Sequence, residues 1–157
     1  MLHNTYAGQT CSIARTLEMV GERWTLLILR DAFLGVRRFD DFQRSLGIAR
    51  NVLNTRLQRL VDSGLLERRR YQERPERFEY RMTAMALDLW PAVVALMEFG
   101  DKHLAGDEGP PMTVEHRECG GIVNGRGICE RCGETLMARD VVARPALSGA
   151  AAAQPAA

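Results

Sequence analysis

Lysine is almost missing from this chain of 157 residues: Lys102 stands alone among 21 basic side chains. We read that as genomic base composition, with no mechanism attached. Long apolar runs are also missing. Trp24 to Leu29, interrupted only by Thr25, is a short run, far below the roughly 20 residues a membrane helix needs. The opening MLHNTYAGQT has neither a basic nor an apolar segment, so no secretory signal is expected and a cytoplasmic location is. Histidine is scarce and scattered, at positions 3, 103 and 116, and no Ser-His-Asp set or glycine-rich phosphate loop is visible. No catalytic constellation is read, and the expectation is a protein that is not an enzyme. Aromatics make up 6%, and Trp24 and Trp90 are read as core or interface residues. The four cysteines are unevenly placed, with Cys11 alone and Cys119, Cys129 and Cys132 together near the C-terminus; in a cytosolic protein such a cluster points to metal or redox chemistry, not a disulfide framework.

What is present is a globular composition, 46% apolar and 26% charged, long enough for one domain plus an appendage. The net charge of +1 is unevenly spread. Between Arg37 and Arg81 there are twelve arginines and seven acidic residues, leaving the remainder net acidic. A basic stripe within a neutral chain suits a nucleic-acid face; the alternative is an ordinary solvated surface.

The chain reads as three zones and a tail. Residues 1–105 are densely patterned. Residues 106–111, centred on GDEGPP, read as a linker, and residues 112–142 hold the cysteine cluster. Residues 143–157 are Ala/Pro-rich, and such a segment is expected to be disordered. In the first zone Thr10 or Ser12 is the expected cap of a helix bearing Ile13, Leu17 and Val20, stopped by Gly21. A second helix runs from Trp24 to Gly35, a third over Phe39–Leu46, and a fourth over Ala49–Ser63. LLERRRY and RFEYRMT, flanking Glu73–Glu76, predict a β-hairpin. Thr83 then caps an apolar helix to Leu104 that Pro91 kinks or breaks. The expected fold class is mainly α with a small β-hairpin wing, a winged helix-turn-helix, followed by a small Cys/His-rich hairpin.

In the fourth helix Leu53, Leu57, Leu60 and Val61 share the inward face. Asn51, Thr55, Gln58 and Arg59 lie opposite, where amides and guanidinium groups can pair with base edges. Arg50 and Arg56 flank that face at phosphate positions. The hairpin adds Arg68, Arg69, Arg70, Arg74 and Arg77, a charged wing for the phosphate backbone; Arg38 and Asn54 complete the candidate DNA-contacting set.

In the cysteine-bearing zone, His116-x-x-Cys119-Gly and Cys129-x-x-Cys132-Gly repeat one spacing. Two such knuckles supply four ligands, the tetrahedral complement of a closed zinc site, and the segment resembles a zinc ribbon. Metal would supply folding energy that so short a segment lacks. A Cys129–Cys132 redox pair, and replacement of His116 by Glu115 or Glu118, stay open.

The residues from Cys11 to Leu104 resemble the HxlR-type winged-helix transcriptional regulators. Cys11, Gly21-x-x-Trp24, Arg38-Phe39, Leu53-x-x-x-Leu57-x-x-Leu60 and Glu79-Tyr80-x-x-Thr83 carry the likeness. The resemblance implies a homodimer, built from the Cys11 segment and the Ala84–Leu104 helix, that binds double-stranded operator DNA and represses or activates nearby genes. It further implies a small-molecule or redox effector, with Cys11 as the candidate redox sensor: it lies near a helix N-terminus with Arg15 one turn on. A small buried packing residue is the other reading of Cys11. The chain departs from the family at Ala49, where Ser or Thr would cap, and at Ala84 and Ala86, where Pro and Gly are usual. A protein-interaction adaptor working through the Cys/His module, and a thiol-redox protein, are the readings from other classes.

Overall fold

The computed structural model describes Tyr6 and residues 8–145. The Ala/Pro-rich stretch from 146 onward lies outside the described residues. The chain divides into two compact units between Asp88 and Leu89.

The first unit holds five described helices and a hairpin. α1 covers Ser12–Val20, and its N-cap is Cys11, without a side-chain cap bond, in place of the expected Thr10 or Ser12. Cys11 has the extended backbone of a cap position (φ −105°, ψ 136°), so backbone geometry fixes the start. A Cβ on Gly21 would fall 2.5 Å from the Leu17 carbonyl oxygen, so only glycine closes this helix. α2 (Thr25–Phe33) buries Ile28, Leu29 and Ala32. α3 (Phe39–Leu46) buries Phe42 completely, and Asp40 and Asp41 in its first turn complement the helix dipole. Gly47, left-handed at φ 60°, ends α3 and starts the short turn into α4.

α4 (Arg50–Asp62) buries Leu53, Leu57 and Leu60 at 1% exposure or less, while Val61 is only half-buried. Ala49 stands at its N-cap and makes no side-chain cap bond. β1 (Leu66–Gln72) and β2 (Arg77–Met82) pair antiparallel, with Leu66 opposite Met82 and Arg69 opposite Glu79. Arg38 bridges Glu79, and the Tyr80 amide donates to the Arg37 carbonyl at 2.7 Å, which ties the strand-like lead-in of α3 to the wing.

α5 is a single turn, Ala84–Leu87, capped by Thr83, whose hydroxyl accepts from the Ala86 amide and donates to the Gly64 carbonyl at 2.7 Å. The long apolar helix therefore breaks after Leu87 and resumes as α6 (Trp90–Leu104), with Pro91 in its first turn, where a missing N–H costs nothing.

The second unit contains α6 and a small antiparallel structure. β3 (Met112–His116) pairs with β4 (Val141–Pro145), Val114 opposite Ala143. β4 corrects the boundary of the expected tail: residues 143–145 are strand, because they complete the ladder to Met112. The unit boundary also differs from the one placed at 105/106. α6 groups with the Cys/His segment, because Trp90 donates its indole N–H to the Leu136 carbonyl at 3.2 Å. Single bridges at Glu115–Ile122, Val123–Cys129 and Ile128–Thr135 fold the segment between the strands. Val114, Val123, Cys129, Leu136 and Val141 form its small interior. No described helix is long and apolar enough to cross a membrane.

Candidate nucleic-acid interface and candidate metal centre

With the leucine face of α4 buried, its other side is available: Asn51, Asn54, Thr55, Gln58 and Arg59 are all exposed. They are not equally free. The Thr55 hydroxyl donates to the Asn51 carbonyl at 3.0 Å, and the Gln58 amide donates to Asp62 Oδ1 at 2.7 Å. Arg59 reaches Glu22 Oε1 at 2.9 Å. Arg50 lies 3.5 Å from Asp40 and stacks over the Phe39 ring.

Arg56 departs from the phosphate position expected of it. Its side chain is mostly buried and paired to Glu22 Oε2 at 2.7 Å, so it holds α4 in place. Glu22 grips two arginines of α4; local sequence spacing does not reveal it, because the partners are more than thirty residues away.

The wing separates its arginines by strand alternation. Arg69 shares one face with Glu67, Glu79 and Arg81, where Arg69–Glu67 and Arg81–Glu79 pair at 2.7 Å and the charges cancel. Arg68 lies on the other face, 3.5 Å above the Phe78 ring. Arg70 is held loosely by Glu73 and Glu76 at 3.9 and 3.6 Å. Arg74 and Arg77 are exposed beside the turn, and Arg38 stacks over Tyr71 at 4.7 Å. Half-burial pushes the Tyr80 phenol up, and the nearby Arg68 charge works against that.

In the second unit the ligand atoms of His116, Cys119, Cys129 and Cys132 lie within 4.8 Å of one another. The Cys119 sulfur is 3.4 Å from Cys129 Sγ and 3.8 Å from Cys132 Sγ. His116 Nδ1 is 3.3 Å from Cys119 Sγ and 3.4 Å from Cys132 Sγ. A zinc ion about 2.3 Å from each thiolate sets sulfurs about 3.8 Å apart, so the donor set fits a tetrahedral soft-metal site. Gly120 and Gly133, each after a knuckle cysteine, are left-handed at φ 68° and 77°, turning the chain away from the ligands. A Cβ on Gly121 would meet Cys129 Sγ at 2.5 Å, so glycine is required for the knuckles to close. Arg131 clamps them by donating to the Cys119 carbonyl.

Hydrogen bonding from the Cys132 backbone, helped by Arg131 and the neighbouring thiols, holds the Cys129 thiol down to about 6 against the opposing effect of burial. For Cys132 the Glu134 backbone lowers the thiol, but burial and its two thiol neighbours outweigh that and raise it. The thiolate form of Cys129 is thus favoured over that of Cys132 within the cluster.

Of the two glutamates weighed as substitutes for His116, Glu115 turns to Arg144 at 2.9 Å, while the exposed Glu118 and Glu134 group with the buried His116. Glu134 is a residue that the sequence pattern does not single out. It lies 3.9 Å from His116 Nε2, on the outer side of the ring, as the carboxylate behind a metal-binding histidine does. Cys11 is exposed and far in sequence from the cluster, and all four cysteines are free thiols.

The HxlR-like helix-turn-helix family model matches residues 19–108. An uncharacterized HTH-type transcriptional regulator of Mycobacterium tuberculosis is 52% identical over 144 residues, 92% of this chain and 90% of the relative. The crystal structure of PA1607, a transcription-factor candidate, is 37% identical with a TM-score of 0.69, covering 85% of this chain and 93% of that one. The redox regulator HypR in its reduced form is 27% identical with a TM-score of 0.56, covering 59% of this chain and 92% of that one. The buried leucines of α4, the wing and the sequence match agree, and the chain belongs to the HxlR-like helix-turn-helix family of DNA-binding transcriptional regulators.

Proposed function

We propose that the protein is a homodimeric, sequence-specific repressor that places α4 of each copy in a major groove. The observation that carries this is the exposed row Asn51, Asn54, Thr55, Gln58 and Arg59, with its arginine wing one turn of chain away. Thirteen helical residues span about 20 Å, enough to present that row along a groove about 12 Å wide. Arg38, Arg50, Arg68, Arg74 and Arg77 contact phosphates and set the register; Arg70 joins them once released from Glu73 and Glu76. Dimer symmetry gives dyadic half-sites. Repression results from occluding polymerase.

Each unit offers exposed apolar residues for pairing in this reading: Ile13, Leu17 and Met19 on α1 in the first, and Leu96 and Phe99 on α6 in the second. A zinc ion held by His116 Nδ1, Cys119, Cys129 and Cys132 supplies folding energy to the C-terminal module, and with four protein ligands the role is structural. The deciding experiment is operator selection from a random pool, then affinity measurement for the selected and scrambled duplexes. Discrimination that Asn51→Ala abolishes supports the reading; equal loss on both duplexes refutes the placement of α4.

A second reading concerns the signal. Cys11 is an exposed thiol at the N-cap of α1, beside the pairing surface, and the likeness to a redox regulator favours a thiol-responsive switch there. Operator affinity unchanged with Cys11 fully oxidised would exclude it.

A further inference from the structure

We propose that metal occupancy of the Cys/His module is itself a signal: a thiophilic divalent cation there holds α6 in the form that pairs with a second copy. This rests on the metal and dimer readings above and adds a link between them.

The link is built from contacts within one compact unit. Trp90, 4% exposed at the start of α6, donates to the Leu136 carbonyl. Two turns on, Glu98 lies against the loop between the knuckles. A Cβ on Gly125 would sit 2.0 Å from Glu98 Oε2 and 2.9 Å from Glu98 Cβ. At 100° per residue Trp90, Val94 and Glu98 fall within about 80° of one another, while Leu96 and Phe99 project from the opposite side. Those two are 55% and 59% exposed. One side of α6 therefore rests on the module, and the other is free for a partner copy.

The module's grip depends on the metal-binding turns. The Leu136 amide donates to the Gly127 carbonyl and the Cys129 amide to that of Glu134, so the second knuckle positions the carbonyl that Trp90 uses. Asn124 Oδ1 accepts from the Arg126 and Ile128 amides, shaping the loop that faces Glu98. With so small an apolar interior, the thiol cluster without its ion has little to keep these turns in place. α6 is 15 residues long, a length at which helices depend on packing. The site also admits exchange: Cys132 is exposed and Cys119 half-buried, although Cys129 and His116 lie inside. Filling it displaces the remaining thiol protons to solvent, and the cation's charge offsets most of the thiolate charge.

The test uses the full chain, loaded with zinc or stripped by a chelator under reducing conditions. Native mass spectrometry gives zinc content, sedimentation equilibrium the dimer constant, and far-UV dichroism the helical content. Stripping is expected to weaken the dimer at least tenfold and operator binding with it, and zinc is expected to restore both. Gly125→Ala, which pushes Glu98 away without touching a ligand, is expected to keep one zinc per chain yet show the same weakening. Zinc that binds and leaves reversibly while the dimer constant stays fixed overturns the link alone. A reduced protein that takes up no zinc overturns the metal reading, and a zinc-loaded protein that never dimerises overturns the dimer reading.

Discussion

Residues on one helix or strand differ in what they can offer DNA, and the difference lies in their neighbours. Among the described residues the Asn51 side-chain amide has no hydrogen-bond partner, whereas Gln58 must first leave Asp62. Asn51→Ala is therefore expected to cost about 1–3 kcal/mol on the selected operator and to relax preference at one base pair, with Gln58→Ala costing less. Competition between cognate and scrambled duplexes measures both. Among the wing arginines, Arg68→Ala should lower the slope of log K against log salt by about 1. Arg69→Ala should change the slope less, because Glu67 and Glu79 already neutralise that face. Equal slopes for the two variants would contradict the alternation argument. Run lengths and turn residues show the wing in the sequence; which arginine meets a glutamate depends on register, and register is set by Leu66 entering the core.

Elements were legible where a residue's local chemistry decides the outcome. Gly35, Gly47 and Gly64 adopt positive φ and stop their helices, and the leucine spacing of α4 marks its buried face. Leu57→Ala should destabilise the winged helix by about 2–5 kcal/mol in urea titration, since a fully buried side chain leaves a cavity. Thr83→Val should remove the cap of α5 and the tie to Gly64, at a cost of about 1 kcal/mol. Sequence reading fell short where distance intervened. The roles of Arg56 and Glu134 come from partners 34 and 18 residues away, which no local spacing encodes. The strand over residues 141–145 escaped notice because alanine and proline dominate the stretch beyond it, although its ladder with Met112–His116 outweighs that composition.

At the scale of the whole molecule, the winged helix and the Cys/His module differ in what stabilises them. The first unit has a packed interior of large side chains, among them Phe42, Ile28, Leu29, Leu53, Leu57 and Leu60. The second buries Trp90, Val94, Leu136 and a few smaller side chains around the Cys/His cluster. Calorimetry should therefore show a chelator lowering one transition and leaving the other in place; a single transition that shifts as a whole would mean the units do not unfold separately. The paired knuckle motif marks in the sequence the four residues that the structure brings together, because each pair is local. The attachment of α6 to that module could not be seen there, since it runs through a backbone carbonyl and a glycine with no room for a side chain.

The scarcity of lysine bears on that same helix. A protease that cleaves only after lysine has one bond to attack in this chain, and Lys102 places it in the last turn of α6. Cutting requires the helix to unwind there, so the rate of a single clean scission measures how often α6 opens. The scar falls within the second unit, severing the winged helix and most of α6 from the Cys/His module.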